Sequence, residues 1–149
     1  MVIGANHKGA IVTMVERKSG FGVIVKVTHK TSDLVSRAIV EGLQPFANRV
    51  KTLTYDNSKE FAAHIQIDQA LNSTGYFSRP FASWERGSNE NFNGLLRQYV
   101  PKKRLMNTVN EDEIALIQNR LNIRPRKRLG FKTPAEVFNQ SFTRVALRA

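Results

Sequence analysis

Short hydrophobic runs and turn residues alternate along the first third of the chain. β-Branched residues fill positions 2–3, 11–15 and 23–27, and the segment Arg17-Lys-Ser-Gly20 separates the last two runs. Runs of this length, bounded by turn residues, are typical of strands joined by tight connections. The pattern predicts a three-stranded antiparallel meander at the start of the chain.

The next segment changes to a helical period. Thr31 or Ser32 can cap a helix there, and Asp33 lies in the first turn, where the helix dipole favours an anion. The apolar residues at helical spacing are Leu34, Val35, Ala38, Ile39, Leu43 and Phe46. We therefore expect one helix across this segment.

The middle of the chain is expected to alternate between strands and a helix, and the part from Trp84 onward to be mainly helical. We expect a strand over residues 50–55, a helix over 60–71 and a short strand over 75–77. Helices are expected over 88–100 and 111–121.

The pattern Thr133-Pro-Ala-Glu136 is a capping box with proline at the first helical position, so it predicts a short terminal helix. Strands grouped at the start, followed by alternating helices and strands, are typical of a mixed sheet with helices on its faces. We expect a single α/β domain over residues 1–149.

Composition excludes several classes of protein. The 149 residues contain no cysteine and carry a formal net charge of +11. The lack of cysteine excludes disulfides, thiol chemistry and cysteine-based zinc sites. No apolar run approaches the ~20 residues that span a bilayer, and the start lacks the apolar core of a secretory signal. We expect a cytoplasmic protein for which nucleic acid is the first partner to suspect.

Positive charge is concentrated between residues 97 and 132, where ten basic residues stand against three acidic ones. The run Arg124-Pro-Arg-Lys-Arg128 contains no acid, and Pro125 favours a stiff, non-helical presentation. A solvated basic surface is the ordinary alternative. The charge favours a polyanionic partner without identifying which one.

Two carboxylates are candidates for chemistry. Asp56 follows a predicted strand, at the sheet edge where ligands collect in open α/β folds; an Asx-turn is the structural alternative. Glu90 lies opposite an apolar stripe of its predicted helix, where an ordinary solvent-facing side chain is the alternative. Paired carboxylates in a basic protein suit Mg²⁺ bound together with substrate phosphates. The histidines at positions 7, 29 and 64 show no metal-ligand spacing.

Three segments carry a more specific pattern. They read Thr54-Tyr-Asp-Asn-Ser-Lys-Glu-Phe61, Pro80-Phe-Ala-Ser-Trp-Glu-Arg-Gly-Ser-Asn-Glu-Asn-Phe-Asn-Gly-Leu-Leu-Arg-Gln-Tyr99 and Leu121-Asn-Ile-Arg-Pro-Arg-Lys-Arg-Leu-Gly-Phe-Lys-Thr-Pro-Ala-Glu-Val-Phe138. In order and spacing they resemble the integrase-type catalytic core of bacterial insertion-sequence transposases, in particular the IS-thirty family. The resemblance extends from Val2 to Phe138, and it is most specific around Trp84, Gly87, Asn89, Glu90 and Asn93.

The resemblance implies an α/β, ribonuclease H-like fold with a mixed five-stranded sheet and helices on both faces. It also implies a catalytic Asp-Asp-Glu triad that binds two Mg²⁺ or Mn²⁺ ions. Asp56 matches the second Asp and Glu90 the Glu, so both are expected to be catalytic and metal-ligating. The first Asp would precede Val2-Ile3-Gly4, where this sequence has Met1. We therefore expect a truncated first strand, an incomplete triad and no strand cleavage by the chain as given.

The resemblance further implies double-stranded DNA, both transposon ends and target, as the partner, with no membrane and with a homo-oligomer left open. The implied location is the bacterial cytoplasm, at the nucleoid. The residues expected to contact the DNA backbone are Arg97, Lys102, Lys103, Arg124, Arg126, Lys127 and Arg128. Asn57, Asn89 and Asn93 are expected to orient water or phosphate near the metals.

Three functional interpretations stay open. The chain is a transposase core that cuts and joins DNA, a degenerate remnant that binds DNA without cutting it, or a stand-alone ribonuclease H-like nuclease with a different third ligand. The coding sequence directly upstream of Met1 separates the first two, because an in-frame strand bearing an Asp would restore the triad.

Overall fold

One mixed sheet organises the domain. The computed structural model describes residues 1–82, 87–140 and 145–148. The strands are β1 (Val2–Ile3), β2 (Ala10–Glu16), β3 (Gly22–Val27), β4 (Val50–Tyr55), β5 (Thr74–Phe77) and β6 (Val145–Arg148). The helices are α1 (Ser32–Leu43), α2 (His64–Leu71), α3 (Gly87–Leu96), α4 (Glu111–Asn122) and α5 (Pro134–Gln140). None of the helices in these described ranges is long and apolar enough to cross a membrane.

The first three strands form the predicted meander. β2 pairs antiparallel with β1 and, along most of its length, with β3. A buried carboxylate closes the turn between β2 and β3: Glu16 accepts hydrogen bonds from the backbone N–H groups of Lys18 at 2.9 Å and Ser19 at 2.7 Å. These bonds satisfy polar groups that a tight turn would otherwise leave unpaired.

Among the described residues the sheet contains six strands rather than the five expected, and the additional strand is β6. The C-terminal strand β6 pairs antiparallel with the end of β2 and parallel with β4. β1 pairs with the start of β2, where Val2 lies opposite Ile11, whereas Arg148 lies opposite Val15. Since β3 takes the other edge of β2, β1 and β6 lie end to end in one position, and the sheet is five positions wide.

Helices cover both faces of the sheet and create two hydrophobic cores. One core joins α1, α2 and α5 to the sheet through Ile39, Ile67 and Phe138. The other joins α3 and α4 to the opposite face through Phe92 and Ile117. Every residue of β2 is buried, because each face of a sheet covered by helices lacks contact with water.

Several caps agree with the sequence pattern. The Thr31 side chain accepts a hydrogen bond from the backbone N–H of Leu34 at 3.4 Å. In the capping box, Glu136 accepts from the Thr133 N–H at 2.8 Å and donates its own N–H to the Thr133 hydroxyl at 3.2 Å. Local side-chain chemistry therefore sets the start of both helices.

Three helix boundaries differ from the prediction. α1 ends at Leu43, and Gln44–Phe46 forms a 3₁₀ turn, because Pro45 cannot continue the helical hydrogen bonds. The expected helix over 60–71 begins at His64, after a separate 3₁₀ turn. α3 ends at Leu96 rather than at residue 100.

Candidate functional site

Asp56 and Glu90 line one open cleft of about 260 Å³. Asp56 directly follows β4, whereas Glu90 lies in the first turn of α3. We call this site the carboxylate cleft. Its lining residues are Asp56, Asn57, Ser78, Arg79, Pro80, Phe81, Ala82 and Glu90. The fold thus brings together two acids that stand 34 positions apart in the sequence.

Asp56 also shapes the turn that follows β4. Its Oδ1 accepts hydrogen bonds from the Ser58 backbone N–H at 3.0 Å and from the Ser58 hydroxyl. This is the Asx-turn that the sequence offered as an alternative. A carboxylate has about four acceptor sites, so the turn and a metal-binding role are chemically compatible.

The orientation of Glu90 follows from the amphipathic character of α3. Phe92 and Leu96 are buried against the sheet, while Glu90 is exposed. This confirms the predicted placement of Glu90 opposite the apolar stripe. The first turn of a helix favours a negative charge because the backbone N–H groups there point toward it.

Two asparagines fix α3 to β2. The Thr13 hydroxyl lies 3.2 Å from Asn89 Oδ1 and 2.8 Å from Asn93 Oδ1, and Asn89 Nδ2 donates to the Thr13 carbonyl at 3.2 Å. Asn89 and Thr13 are buried, so this network anchors the helix that carries Glu90. The expectation that Asn89 and Asn93 orient water or phosphate stays a prediction.

Asn57 connects the two sides of the cleft. Its Nδ2 donates to the Ser78 carbonyl at 2.7 Å, and the Ser78 N–H donates to the Tyr55 carbonyl at 2.8 Å. The segment after β5 is therefore tied to the end of β4. A role for Asn57 in orienting water or phosphate stays a prediction.

The cleft suits a hard divalent cation in the type of its donors, because Asp56 and Glu90 present carboxylate oxygens and Mg²⁺ prefers oxygen ligands. In the part of the chain that the structure describes, no group of three or more Asp, Glu or His side chains gathers to hold a metal. Two carboxylates, completed by substrate phosphates and water, are within the usual range for Mg²⁺.

A second cavity, of about 240 Å³, lies against a different side of α3. We call it the arginine pocket. Its lining residues are Val15, Gly20, Gly87, Ser88, Asn91, Phe92, Leu95, Arg126 and Arg128. One helix therefore contributes Glu90 to the carboxylate cleft and Ser88 and Asn91 to the arginine pocket.

Backbone carbonyl groups hold the arginines of this pocket. Arg126 Nη2 donates to the Leu121 carbonyl and Arg128 Nη1 to the Lys18 carbonyl, both at 3.0 Å. Burial lowers the pKa of Arg126, and the neighbouring charges of Arg124 and Arg128 lower it further. A cation that repels its neighbours and donates to neutral carbonyls retains its attraction for an anion.

The ion pairs among the described residues involve other cations, namely Lys30, Arg37 and Arg104. Within that part of the chain no carboxylate neutralises the arginine pocket. Forked guanidinium groups in such a setting are suited to phosphate oxygens. Contacts of Arg126 and Arg128 with DNA stay a prediction.

The other predicted DNA-binding residues fall into two groups. Arg97 is half-buried and donates to the Ile3 carbonyl at 3.0 Å, and burial lowers its pKa. This contact ties β1 to the end of α3. The exposed residues are Lys102, Lys103, Arg124 and Lys127. Phosphate contacts by either group are untested.

Sequence reasoning did not single out four polar or aromatic residues that line these two sites: Arg79, Phe81, Ser88 and Asn91. Phe81 is exposed at the rim of the carboxylate cleft. The sequence signal that predicts a turn at Phe81 is the Arg79-Pro80 pair after a short strand, because proline favours the second position of a turn. The most specific sequence block also includes Trp84, which lies outside the described residues.

Solved structures define the class of fold. The catalytic core domain of bovine immunodeficiency virus (BIV) integrase aligns with a TM-score of 0.65 and 22% identity, over 92% of this chain and 89% of that chain. A simian T-cell lymphotropic virus intasome aligns with a TM-score of 0.69 and 16% identity, over 95% and 55%. The chain therefore has the ribonuclease H-like fold of integrase catalytic cores, as expected.

Sequence relatives narrow this class. The chain is 48% identical over 139 residues to the transposase for insertion sequence element IS4351 of Bacteroides fragilis, covering 93% of this chain and 43% of that protein. It is 36% identical over 140 residues to the transposase InsI for IS30A of Escherichia coli (strain K12), covering 93% and 37%. No family model matches the chain. The chain therefore combines the fold of integrase catalytic cores with sequence similarity to transposases of insertion sequence elements, and it spans less than half the length of these relatives.

Proposed function

We propose that this chain is the core of a transposase that cuts and joins DNA with divalent metal ions. The observation that carries the proposal is the meeting of Asp56 and Glu90 in one cleft, although they come from β4 and α3. Both residues match carboxylate positions of the resembled family. The names of the sequence relatives, which are transposases of insertion elements, support the same chemistry.

Asp56 and Glu90 would hold the metal. When bound, Mg²⁺ or Mn²⁺ lowers the pKa of a water, or activates a DNA 3′-hydroxyl, and stabilises the leaving oxygen of the phosphodiester. The protein's own task is to fix the carboxylates. The Asx-turn holds Asp56, and the bonds of Asn89 and Asn93 to Thr13 hold the helix of Glu90.

The arginine pocket would hold the DNA backbone. Arg126 and Arg128 are kept in place by carbonyl groups, and phosphate contacts of this kind position a duplex without reading its sequence. Because α3 lines both sites, a phosphate bound at Ser88 and Asn91 would lie at a fixed offset from Glu90. We include double-stranded DNA as partner and the bacterial nucleoid as location in the proposal.

The resembled family uses a third carboxylate, the first Asp of its triad, and this sequence has Met1 where that residue would stand. We therefore propose that the chain by itself binds metal and duplex DNA but does not cleave at a useful rate. The alternative function is a remnant that binds DNA without cutting it.

Nicking of supercoiled plasmid with Mn²⁺ tests these statements. The 149-residue chain is compared with a form that carries an Asp-bearing strand directly ahead of Met1. We expect nicking by the extended form only, with loss of activity in Asp56→Asn and Glu90→Gln. Asp112→Asn, an exposed acid of α4, is the matched control and should retain activity.

Each other outcome has a defined meaning. Nicking by the short form that disappears in Asp56→Asn would show that another group supplies the third ligand. DNA binding without nicking by either form would favour the remnant. Nicking that survives both cleft substitutions would contradict the proposed site.

A further inference from the structure

The backbone at Phe81 is held in an unusual conformation. Its φ is +60°, in the left-handed region that bulky side chains rarely adopt. The neighbouring turn explains the geometry: the Ala82 N–H donates to the Arg79 carbonyl at 3.2 Å, with Pro80 at the second position. A turn of this shape normally places glycine or asparagine third. Phenylalanine there carries a conformational cost that its ring does not recover by burial.

The ring of Phe81 is instead presented to solvent. Its relative exposure is 101%, the largest among the exposed hydrophobic residues of the described chain. Both ends of the turn are fixed, because Ser78 and Ala82 are buried and Asn57 holds the Ser78 carbonyl. An aromatic ring that projects into solvent from such a turn has the form of a stacking surface.

The surroundings of the ring indicate what it would stack on. Phe81 lines the carboxylate cleft together with Arg79, Asp56 and Glu90, in a chain with a net charge of +11. A cationic guanidinium beside an exposed ring complements a molecule that carries both phosphates and flat apolar faces. Nucleic-acid bases stack on aromatic side chains irrespective of sequence.

We propose that Phe81 is a stacking platform for an unpaired nucleobase of the DNA strand that enters the carboxylate cleft. Bases inside an intact duplex are already stacked on each other, so only a base freed at a strand end or at a distortion can reach the ring. Stacking there would hold the adjacent phosphodiester beside Asp56 and Glu90. The proposal rests on the proposed function of the cleft, but stacking itself needs neither metal nor cleavage.

The chain offers a matched control. Phe131 is also an exposed phenylalanine, at 71% relative exposure, and it also has a left-handed backbone, with φ +65°. It lies in the basic segment, residues 97–132, and does not line the carboxylate cleft. Removing the Phe131 ring is therefore a comparable change, an exposed phenylalanine with a left-handed backbone, at a different place on the domain.

Binding of two oligonucleotides to the full 149-residue chain tests the proposal. Both are duplexes with a single-stranded overhang of equal length; in one the overhang carries bases, and in the other it is abasic, so the phosphates are identical. Anisotropy is measured in EDTA to exclude cleavage. We expect tighter binding of the base-bearing overhang by about 5- to 100-fold. Phe81→Ala and Phe81→Leu should abolish this preference, whereas Phe81→Trp and Phe131→Ala should keep it.

The remaining outcomes overturn the proposal in distinguishable ways. If Phe81→Leu keeps the preference, or if the unsubstituted chain binds both oligonucleotides equally, Phe81 is not a stacking platform, and the metal chemistry of the cleft is unaffected. If the chain binds neither oligonucleotide, the DNA-binding part of the proposed function fails as well. Phe81→Leu retains a side chain of similar size, so its result is readable if the alanine variant unfolds.

Discussion

The carboxylate cleft and the arginine pocket lie against the same helix but are built in opposite ways. In the cleft, Asp56 and Glu90 come from separate elements and line the site together with Arg79. In the pocket, Arg126 and Arg128 repel each other and donate to backbone carbonyls. The carboxylates of the cleft favour a cationic ligand, whereas the guanidinium groups of the pocket favour an anionic one. Metal and DNA phosphate satisfy the two needs, and α3 sets the distance between them.

The largest expected effect comes from neutralising the two arginines of the arginine pocket together with the neighbouring Arg124. The triple substitution of Arg124, Arg126 and Arg128 to Gln should flatten the slope of log affinity for duplex DNA against log salt by about two to three units. At physiological salt this corresponds to a loss of roughly tenfold to a hundredfold. Mn²⁺ affinity should not change. An unchanged slope would place the DNA contact elsewhere and break the comparison.

A substitution in the carboxylate cleft should weaken metal binding and leave DNA binding unchanged. Asp56→Asn removes a carboxylate ligand and should weaken Mn²⁺ binding by at least roughly tenfold, since even groups that only orient ligands contribute that much. Titration calorimetry measures this loss, and Asp112→Asn is the control. Duplex affinity in EDTA should not fall. A parallel loss of metal and DNA binding would mean that the two sites are one.

The anchor of α3 tests whether the two sites are coupled. Thr13→Val removes the hydroxyl that contacts Asn89 and Asn93 while keeping the side-chain volume, and should lower the free energy of unfolding by about 1 kcal/mol. Because α3 lines both sites, metal and DNA affinity should decline together. Urea unfolding and the two binding assays measure this, and Asn119→Ala, at an exposed position of α4, is the control. Loss at one site alone would show that the sites are positioned independently.

The sequence predicts those features of the two sites that depend on residues close together in the chain. The strand before Asp56 is a compact β-branched run, and the amphipathic spacing of α3 fixes the direction of Glu90. The capping box of α5 is likewise complete within four residues. Such features depend on neighbours in the sequence, and the structure confirms them.

The parts that could not be predicted depend on distant contacts. β6 is a strand because the edges of β2 and β4 accept it, and nothing in its own sequence shows that those edges are available. The arginine pocket forms because the turn after β2 reaches Arg128. The left-handed backbone conformation of Phe81 is imposed by the turn, since phenylalanine itself rarely adopts a positive φ.

The smallest expected effect concerns the one cation in the basic segment that has a carboxylate partner among the described residues. Arg104 forms a fork with Glu113, with Nη1–Oε1 at 2.5 Å and Nη2–Oε2 at 2.7 Å. The hydrogen bonds from Arg104 lower the pKa of Glu113. A carboxyl group whose pKa is depressed by folding adds stability above its unfolded pKa and loses it as the pH falls through the folded pKa. Since the pair is partly exposed, its contribution is about 0.5 kcal/mol.

Glu113→Gln should therefore lower the free energy of unfolding slightly at neutral pH, and the difference from the unsubstituted chain should vanish as the pH falls below about 4. Glu111→Gln, in the same helical turn but exposed, is the control. The same substitution leaves Arg104 without its counter-charge, so duplex affinity should rise slightly and become more dependent on salt. Unchanged DNA binding would show that Arg104 does not contact the DNA phosphates.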